Sequence, residues 1–188
     1  MTEKIAQRLA VLLADRGAIR RDETELYMFG FQAGLEFMSC LLVSLAAALV
    51  LHRALEYLIV LAVFIPVRSY AGGFHFEKFG FCFLSSCAVI AAIIAVSEWM
   101  RPDPRLAMPG ILALLILTGV TSPTEHGNRK VTGSERRAFR RILRAFLVGT
   151  GILSTICYLL GKEIYLNLIL LTLLTVFVSM LIGKWRQN

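Results

Sequence analysis

Charge is scarce in this chain, and that scarcity excludes an ordinary soluble globular protein. Asp, Glu, Lys and Arg together make up 18% of the 188 residues, whereas apolar residues make up 57%. A soluble protein of this size could not bury so much apolar surface, so the composition predicts a multi-spanning membrane protein. The net charge of +7 would suggest nucleic acid in a soluble protein. In a membrane protein, clustered Lys and Arg residues instead hold loops in the cytoplasm, and we expect no nucleic-acid partner.

Cysteines are also few, and their spacing excludes two common uses. Cys40, Cys82, Cys87 and Cys157 contain no CxxC pair, so neither a disulfide framework nor a zinc site is indicated. Three of them lie well inside apolar runs, where cysteine is usually a small apolar residue. Cys82 differs because it lies near the start of its run, close to Lys78 and Gly80. The N-terminal stretch is not expected to be a signal peptide, because charges interrupt its apolar residues.

The first 22 residues predict an amphipathic helix. Apolar side chains recur there at helical spacing, namely Ile5, Leu9, Leu12 and Leu13. Such a helix is suited to lying in the membrane interface. An ordinary helix that packs its apolar stripe on the rest of the protein is equally compatible with the pattern.

Six apolar runs follow the N-terminal helix, and together they predict an all-α polytopic membrane protein. The runs cover residues 27–51, 54–67, 79–100, 106–120, 145–160 and 164–183. A membrane-spanning helix needs about 20 residues. We therefore predict about six transmembrane helices in a single membrane-embedded domain over residues 1–188. Because the second and fourth runs are short, four full spans plus two short or re-entrant segments is the alternative.

The distribution of basic residues predicts the orientation in the membrane. With six spans, 16 of the 20 Lys and Arg residues lie on the side that carries both termini. The excess of Lys and Arg makes that side cytoplasmic. The expected location is the bacterial cell membrane, with multiple passes and the termini inside. The segments 68–82 and 121–144 also face the cytoplasm, where thiols stay reduced.

The segment "RSYAGGFHFEKFGFC", residues 68–82, combines a histidine with a cysteine. A thiolate is the nucleophilic form of cysteine, and a nearby imidazole can take its proton. In one straight helix His75 and Cys82 would lie about 10 Å apart along the axis. The chain must therefore fold back between them, and Gly72 and Gly73 permit irregular backbone. If His75 and Cys82 do not contact each other, His75 is simply a histidine in the membrane interface and Cys82 a cysteine at the start of a helix.

The order Arg, Gly-Gly, His, Cys in residues 68–82 resembles the signature R-x3-GG-x-H-x6-C of the accessory gene regulator B (AgrB) family. A second stretch, "TSPTEHGNRK" at residues 121–130, resembles the family's run of Pro, acidic, Asn and basic residues. The usual Asn-Lys-Pro is here Asn128-Arg129-Lys130, so the proline is missing and this match is partial. The length, the amphipathic N-terminal helix and the apolar runs agree as well, so the resemblance covers essentially the whole chain.

The resemblance implies a membrane cysteine endopeptidase that processes the precursor of a quorum-sensing autoinducing peptide. Members cleave on the C-terminal side of the future ring and hold the peptide as a thioester. An internal Cys or Ser then closes a thiolactone or lactone. Carried over by position, Cys82 is the nucleophile and His75 the base, and no metal and no cofactor are implied. Water exclusion and oxyanion stabilisation are the physical needs of this chemistry.

Further residues take supporting roles in this interpretation. Arg68 and the pair Gly72-Gly73 resemble residues that the family needs for activity, and Gln32 stands where the family carries a polar residue. Glu36 lies four residues after Gln32 on the same helical face. Polar residues within an apolar run usually face the protein interior. Alternatively, Gln32 and Glu36 are polar because they lie at the solvent-exposed end of the first span.

The segment 121–144 is predicted as a basic cytoplasmic loop with seven Lys and Arg residues. It binds either anionic lipid headgroups or an acidic peptide. The matched substrate-binding positions are Glu125, Asn128, Arg129 and Lys130. The expected partners are a precursor with an amphipathic leader and an acidic C-terminal segment, anionic lipids and, in a homodimer, a second copy of the chain. Two other functions stay open: a non-enzymatic membrane transporter or scaffold, and a cysteine protease that releases linear products.

Overall fold

A computed structural model of the chain shows an all-helical protein, as the apolar runs predict. It describes residues 2–71, 79–100, 102–122 and 133–185, with the side chains of all of these except 79–83 and 133–136. Within those ranges the chain forms seven α-helices, one 3-10 helix and no strand. The helices are α1 (Thr2–Asp15), α2 (Thr24–Val50), α3 (Ala54–Ala71), α4 (Phe79–Trp99), α5 (Pro104–Thr121), α6 (Gly133–Leu159) and α7 (Glu163–Trp185), with the 3-10 helix at Arg21–Glu23.

Six of these helices are apolar enough to belong in a bilayer. Five are also long enough, and they cover Arg21–Val50, Ala54–Ala71, Pro104–Thr121, Arg137–Leu159 and Glu163–Trp185. The sixth is α4, in which Leu84–Trp99 forms a shorter apolar helix. The predicted polytopic membrane fold is confirmed. The second and fourth apolar runs, which look short in the sequence, are continuous helices of 18 residues each because their flanking residues are helical too.

The described residues fall into two compact units. The first contains α1, α2 and the start of α4; the second contains α3, α5, α6, α7 and the remainder of α4. In the first unit α1 contacts α2, and the two fully buried residues of α1 are Ala6 and Ala10. The predicted stripe of larger residues does not form this contact, since Ile5, Leu9 and Leu12 are 41%, 39% and 47% exposed. An exposed apolar stripe is what an interfacial helix presents to lipid.

Helix α7 is the centre of the second unit. It contacts α3, α5 and α6, and four large residues at its core are fully or almost fully buried, namely Leu166, Ile169, Leu173 and Met180. Helix α5 approaches α7 closely, because a Cβ atom on Gly110 would lie 3.3 Å from Leu170 Cδ1. Small residues allow such close packing where helices meet in a membrane.

The second unit has two different ends, and we call them the loop end and the distal end. At the loop end α3, α5 and α7 end and α6 begins, and the chain continues there into segments 72–78 and 123–132. The connections at the distal end are short. The C-terminal turn of α6 closes with Gly161 at φ +63° and a bond of 2.8 Å from Lys162 N to Cys157 O. Helix α5 begins where the Asp103 carboxylate accepts the Arg105 N–H at 2.8 Å.

Polar side chains join three helices at the distal end. Arg53, before α3, forms an ion pair of 3.2 Å with Glu56 and a second one with Glu98 of α4. The buried Asn167 of α7 donates its amide N–H groups to the carbonyl oxygens of Ser97, at 3.2 Å, and Met100. The last carbonyl groups of a helix lack partners within the helix. Asn167 therefore completes the end of α4.

Candidate active site

The last turn of α3 carries Arg68 and leads directly into segment 72–78. A guanidinium N–H of Arg68 donates a hydrogen bond to the hydroxyl oxygen of Ser179 in α7. The guanidinium also lies over the ring of Phe64, one turn earlier in α3, at 5.7 Å from the ring centroid. Its neighbours Val67 and Ala71 are fully buried. This turn is therefore fixed both by apolar packing and by a bond to another helix.

An aromatic cluster fastens the same turn of α3 to α6. The ring of Tyr70 lies 5.9 Å from that of Phe139 and stacks on that of Phe146 at 5.8 Å, measured between centroids. Aromatic pairs at such distances add to the stability gained from burial alone. Helices α6 and α7 thus hold α3 from two directions at the point where it ends.

The end of α5 is fixed in a similar way. The hydroxyl of Ser122 donates to the carbonyl oxygen of Thr118 at 2.6 Å and lies 3.8 Å from the sulfur of Met180. Ser122 and Met180 are 3% and 1% exposed. Since Ser122 is the last described residue before segment 123–132, this contact fixes where that segment begins.

The predicted catalytic loop, residues 68–82, is partly helical. Residues 68–71 form the end of α3, and residues 79–82 form the start of α4. Cys82 is the fourth residue of α4, and its side chain lies outside the described part of the chain. Gly72, Gly73 and His75 also lie outside it, so the proposed contact between His75 and Cys82 stays a prediction. The first four N–H groups of a helix lack partners within the helix.

The predicted basic loop, residues 121–144, is also divided. Helix α6 begins at Gly133, whereas the four matched substrate-binding positions Glu125, Asn128, Arg129 and Lys130 lie outside the described residues. The first described turns of α6 expose their arginines, namely Arg137, Arg140, Arg141 and Arg144. On the other face Leu143 and Leu147 are buried. The described start of α6 is therefore basic on its exposed side and apolar where it packs.

In the first unit, α2 carries a polar pair one turn before its contact with α4. Gln32 donates to the Glu36 carboxylate at 3.0 Å. One turn further along α2, the sulfur atom of Cys40 lies 3.7 Å from that of Cys87 in α4.

Comparison with known proteins assigns the chain to a family. The model of the accessory gene regulator B family, AgrB, matches residues 2–182. The chain belongs to the AgrB family. This match confirms the resemblance found in the sequence. It identifies the chain as a multi-pass membrane protein that takes part in the processing of autoinducer peptides. The searches among curated proteins and among solved structures find no match.

Metal ligands were not expected for an AgrB protein. Among the side chains that the structure describes, no group of three or more His, Cys, Asp and Glu residues could hold a metal ion. The absence of a metal and of a cofactor stays a prediction.

The sequence did not indicate the two residues of α7 that contact the ends of α3 and α5. Ser179 lies 111 residues after Arg68, within an apolar helix, and Met180 is one of many apolar residues of α7. A weak signal for Ser179 exists, because a polar residue within a membrane span usually faces the protein interior. No sequence signal distinguishes Met180 from its neighbours.

Proposed function

We propose that this AgrB protein is a cysteine endopeptidase that cleaves a precursor peptide and closes its product into a ring. The observation that carries the proposal is the position of Cys82 in the first turn of α4, one short segment after the anchored turn of Arg68. The start of a helix offers unpaired N–H groups and favours negative charge. Both features suit a thiolate and the oxyanion that forms when it attacks a carbonyl.

The first step is acyl transfer to the enzyme. His75 takes the thiol proton, and the Cys82 sulfur attacks the scissile carbonyl carbon. The C–S bond forms as the C–N bond breaks, and His75 returns the proton to the leaving amine. The C-terminal part of the precursor departs, and the N-terminal part stays on Cys82 as a thioester.

The second step releases a ring. The internal Cys or Ser of the bound peptide loses its proton to His75 and attacks the thioester carbon. The new thioester or ester bond closes the ring, and Cys82 leaves with the proton that His75 returns. No water is consumed in either step, so the site must exclude water from the thioester. Partners in this scheme are the precursor and the anionic lipids around the loop end.

Mass spectrometry of a purified reaction tests this function. The full chain in lipid nanodiscs is mixed with a candidate precursor peptide that has an amphipathic leader, an internal Cys or Ser and an acidic C-terminal segment. We expect a product lighter by one water than the linear fragment, together with a peptide attached to Cys82. Cys82→Ser and His75→Ala should abolish both, whereas Cys87→Ser and Cys157→Ser should leave them intact.

Two results would reject the proposal. Full activity of Cys82→Ser would favour a non-enzymatic transporter or scaffold. A product with the mass of the linear fragment would favour a cysteine protease that hydrolyses its thioester.

A further inference from the structure

Two cysteine side chains lie in contact within the first unit. The sulfur atom of Cys40 in α2 is 3.7 Å from that of Cys87 in α4, and both residues belong to this unit. Both thiols are half-buried, whereas Cys157 in the second unit is buried. The fold thus brings together two thiols that lie 47 residues apart in the sequence.

We propose that Cys40 and Cys87 are a redox-active pair within the bilayer, which uncharged hydroperoxides convert into a disulfide. The modification ties α2 covalently to α4, and a reductant reverses it. It goes beyond the proposed peptidase function, because it involves neither Cys82 nor the precursor peptide.

The separation of the sulfur atoms is small enough for this reaction. They lie 3.7 Å apart, and a disulfide bond is about 2.05 Å long. Rotation of the cysteine side chains between their staggered positions contributes to the approach that remains. The pair can therefore close with little movement of the two helices.

The pair lies near the middle of the bilayer. Cys40 is ten residues before the end of the span Arg21–Val50, and Cys87 is twelve residues before Trp99, the last residue of α4. Along a helix these separations are about 15 and 18 Å, roughly half of the hydrocarbon thickness of about 30 Å. Trp99 is 90% exposed, and tryptophan is enriched where the membrane meets water. Each helix thus gives its sulfur atom a similar depth.

This depth selects the oxidants that reach the sulfur atoms. A small uncharged hydroperoxide can enter hydrocarbon, whereas transfer of a charged molecule such as glutathione disulfide into it is costly. Reduced glutathione keeps cytoplasmic thiols reduced, but its charges exclude it from the bilayer as well. Cys40 and Cys87 are therefore less protected than thiols in cytoplasmic loops.

The oxidation proceeds in two balanced steps. One sulfur attacks the O–O bond of the hydroperoxide and becomes a sulfenic acid, and its proton leaves with the alcohol. The second sulfur then attacks the first, and the sulfenic hydroxyl leaves as water with the second thiol proton. The pair loses two electrons, and the O–O bond gains them. The contact favours the second step, because the reacting atoms are already adjacent.

The test uses the full chain in lipid nanodiscs with Cys82→Ser and Cys157→Ser, which leaves Cys40 and Cys87 as its only cysteines. Treatment with tert-butyl hydroperoxide should remove two hydrogen atoms per chain, and dithiothreitol added after the chain is unfolded should restore them. Mass spectrometry of a protease digest identifies the linked peptides. Glutathione disulfide at the same concentration should act at least about tenfold more slowly, because the bilayer excludes its charges.

A matched control moves one thiol around α2. Ser39→Cys combined with Cys40→Ser keeps the number of thiols, and residue 39 is half-buried like its neighbour. The depth stays nearly the same, but the side chain points about 100° away from its former direction. This pair should form a disulfide at least about tenfold more slowly, because its thiols are no longer adjacent.

Three results would overturn the proposal. They are equal rates for the two cysteine pairs, no disulfide between Cys40 and Cys87 after hydroperoxide treatment, and equal rates with the two oxidants in nanodiscs. If the variant without Cys82 and Cys157 does not fold, the linked peptides are sought in a digest of the oxidised wild type. A link between Cys40 and Cys87 there supports the proposal, and its absence rejects it.

Discussion

The sulfur atoms of Cys40 and Cys87 lie 3.7 Å apart, which ties the middle of α2 to α4 five residues beyond Cys82. A disulfide requires a separation of about 2.05 Å, so the two sulfurs are in contact and not bonded. The contact fixes the register of these two helices near the proposed nucleophile.

Oxidative cross-linking checks this register. Treatment of the membrane-embedded chain with copper phenanthroline and oxygen should join Cys40 to Cys87, because a small movement closes the remaining gap. Mass spectrometry of a protease digest identifies the linked peptides, and Cys40→Ser serves as the control that loses the link. Repeated recovery of Cys40 linked to Cys157 instead would show that the α2–α4 register is wrong.

Glu36 is predicted to contribute to the chemistry, because it lies one turn before Cys40, which contacts α4 five residues after Cys82. Glu36→Gln keeps the size of the side chain and removes its charge. We expect kcat to fall about tenfold or more if this carboxylate orients His75. Ser39→Ala is the matched control, since Ser39 lies on the same helix and donates only to the carbonyl oxygen of Leu35, at 2.7 Å. Unchanged kcat in Glu36→Gln would contradict a role in the chemistry. Glu36 would then be only a polar residue at the solvent-exposed end of the span.

The ion pairs of Arg53 are predicted to support stability without affecting catalysis. Glu98→Gln should lower the free energy of unfolding by about 0.5–1 kcal/mol, the usual range for a partly exposed pair. The loss should be greater than in Glu56→Gln, because Glu98 joins two helices and Glu56 lies within α3. Thermal unfolding in detergent measures the first effect and kcat the second. A fall in kcat at constant stability would contradict this assignment of the distal end.

The exposed arginines of α6 are predicted to bind the acidic segment of the precursor. Replacement of Arg140, Arg141 and Arg144 by glutamine should raise KM several-fold and leave kcat unchanged. Added salt should raise the KM of the wild type in the same direction, since exposed charges are screened. Nanodiscs of zwitterionic lipid separate the two expected ligands. A KM effect that disappears in these discs would assign the arginines to anionic headgroups.

The sequence predicted the helices well because their signal is local. Apolar runs of sufficient length indicate spans, and even the short second and fourth runs correspond to complete helices. Arg68, which the sequence analysis places at the start of the segment 68–82, lies in the last turn of α3. The partner of Arg68 was not predictable in the same way. Ser179 contacts it only because α3 and α7 pack together, and such packing depends on residues distributed over the whole second unit.

The packing of α1 also differs from what the sequence pattern indicates. The large apolar residues Ile5, Leu9 and Leu12 form the evident stripe in the sequence, yet Ala6 and Ala10 form the buried contact surface. Alanine allows two helices to approach closely. An analysis of hydrophobic periodicity instead points to the larger apolar residues as the contact surface.

The lengths of α3 and α5 have a consequence for the surrounding lipid. Each has 18 residues and is therefore about 27 Å long, slightly less than the hydrocarbon thickness of about 30 Å in a typical bilayer. Such hydrophobic mismatch is relieved when the bilayer thins locally or flanking residues reach toward the headgroups. The last turns of these two helices are therefore places where the bilayer must adapt. Acyl-chain length in the host membrane becomes a physical variable that sets how deeply a peptide must enter to reach them.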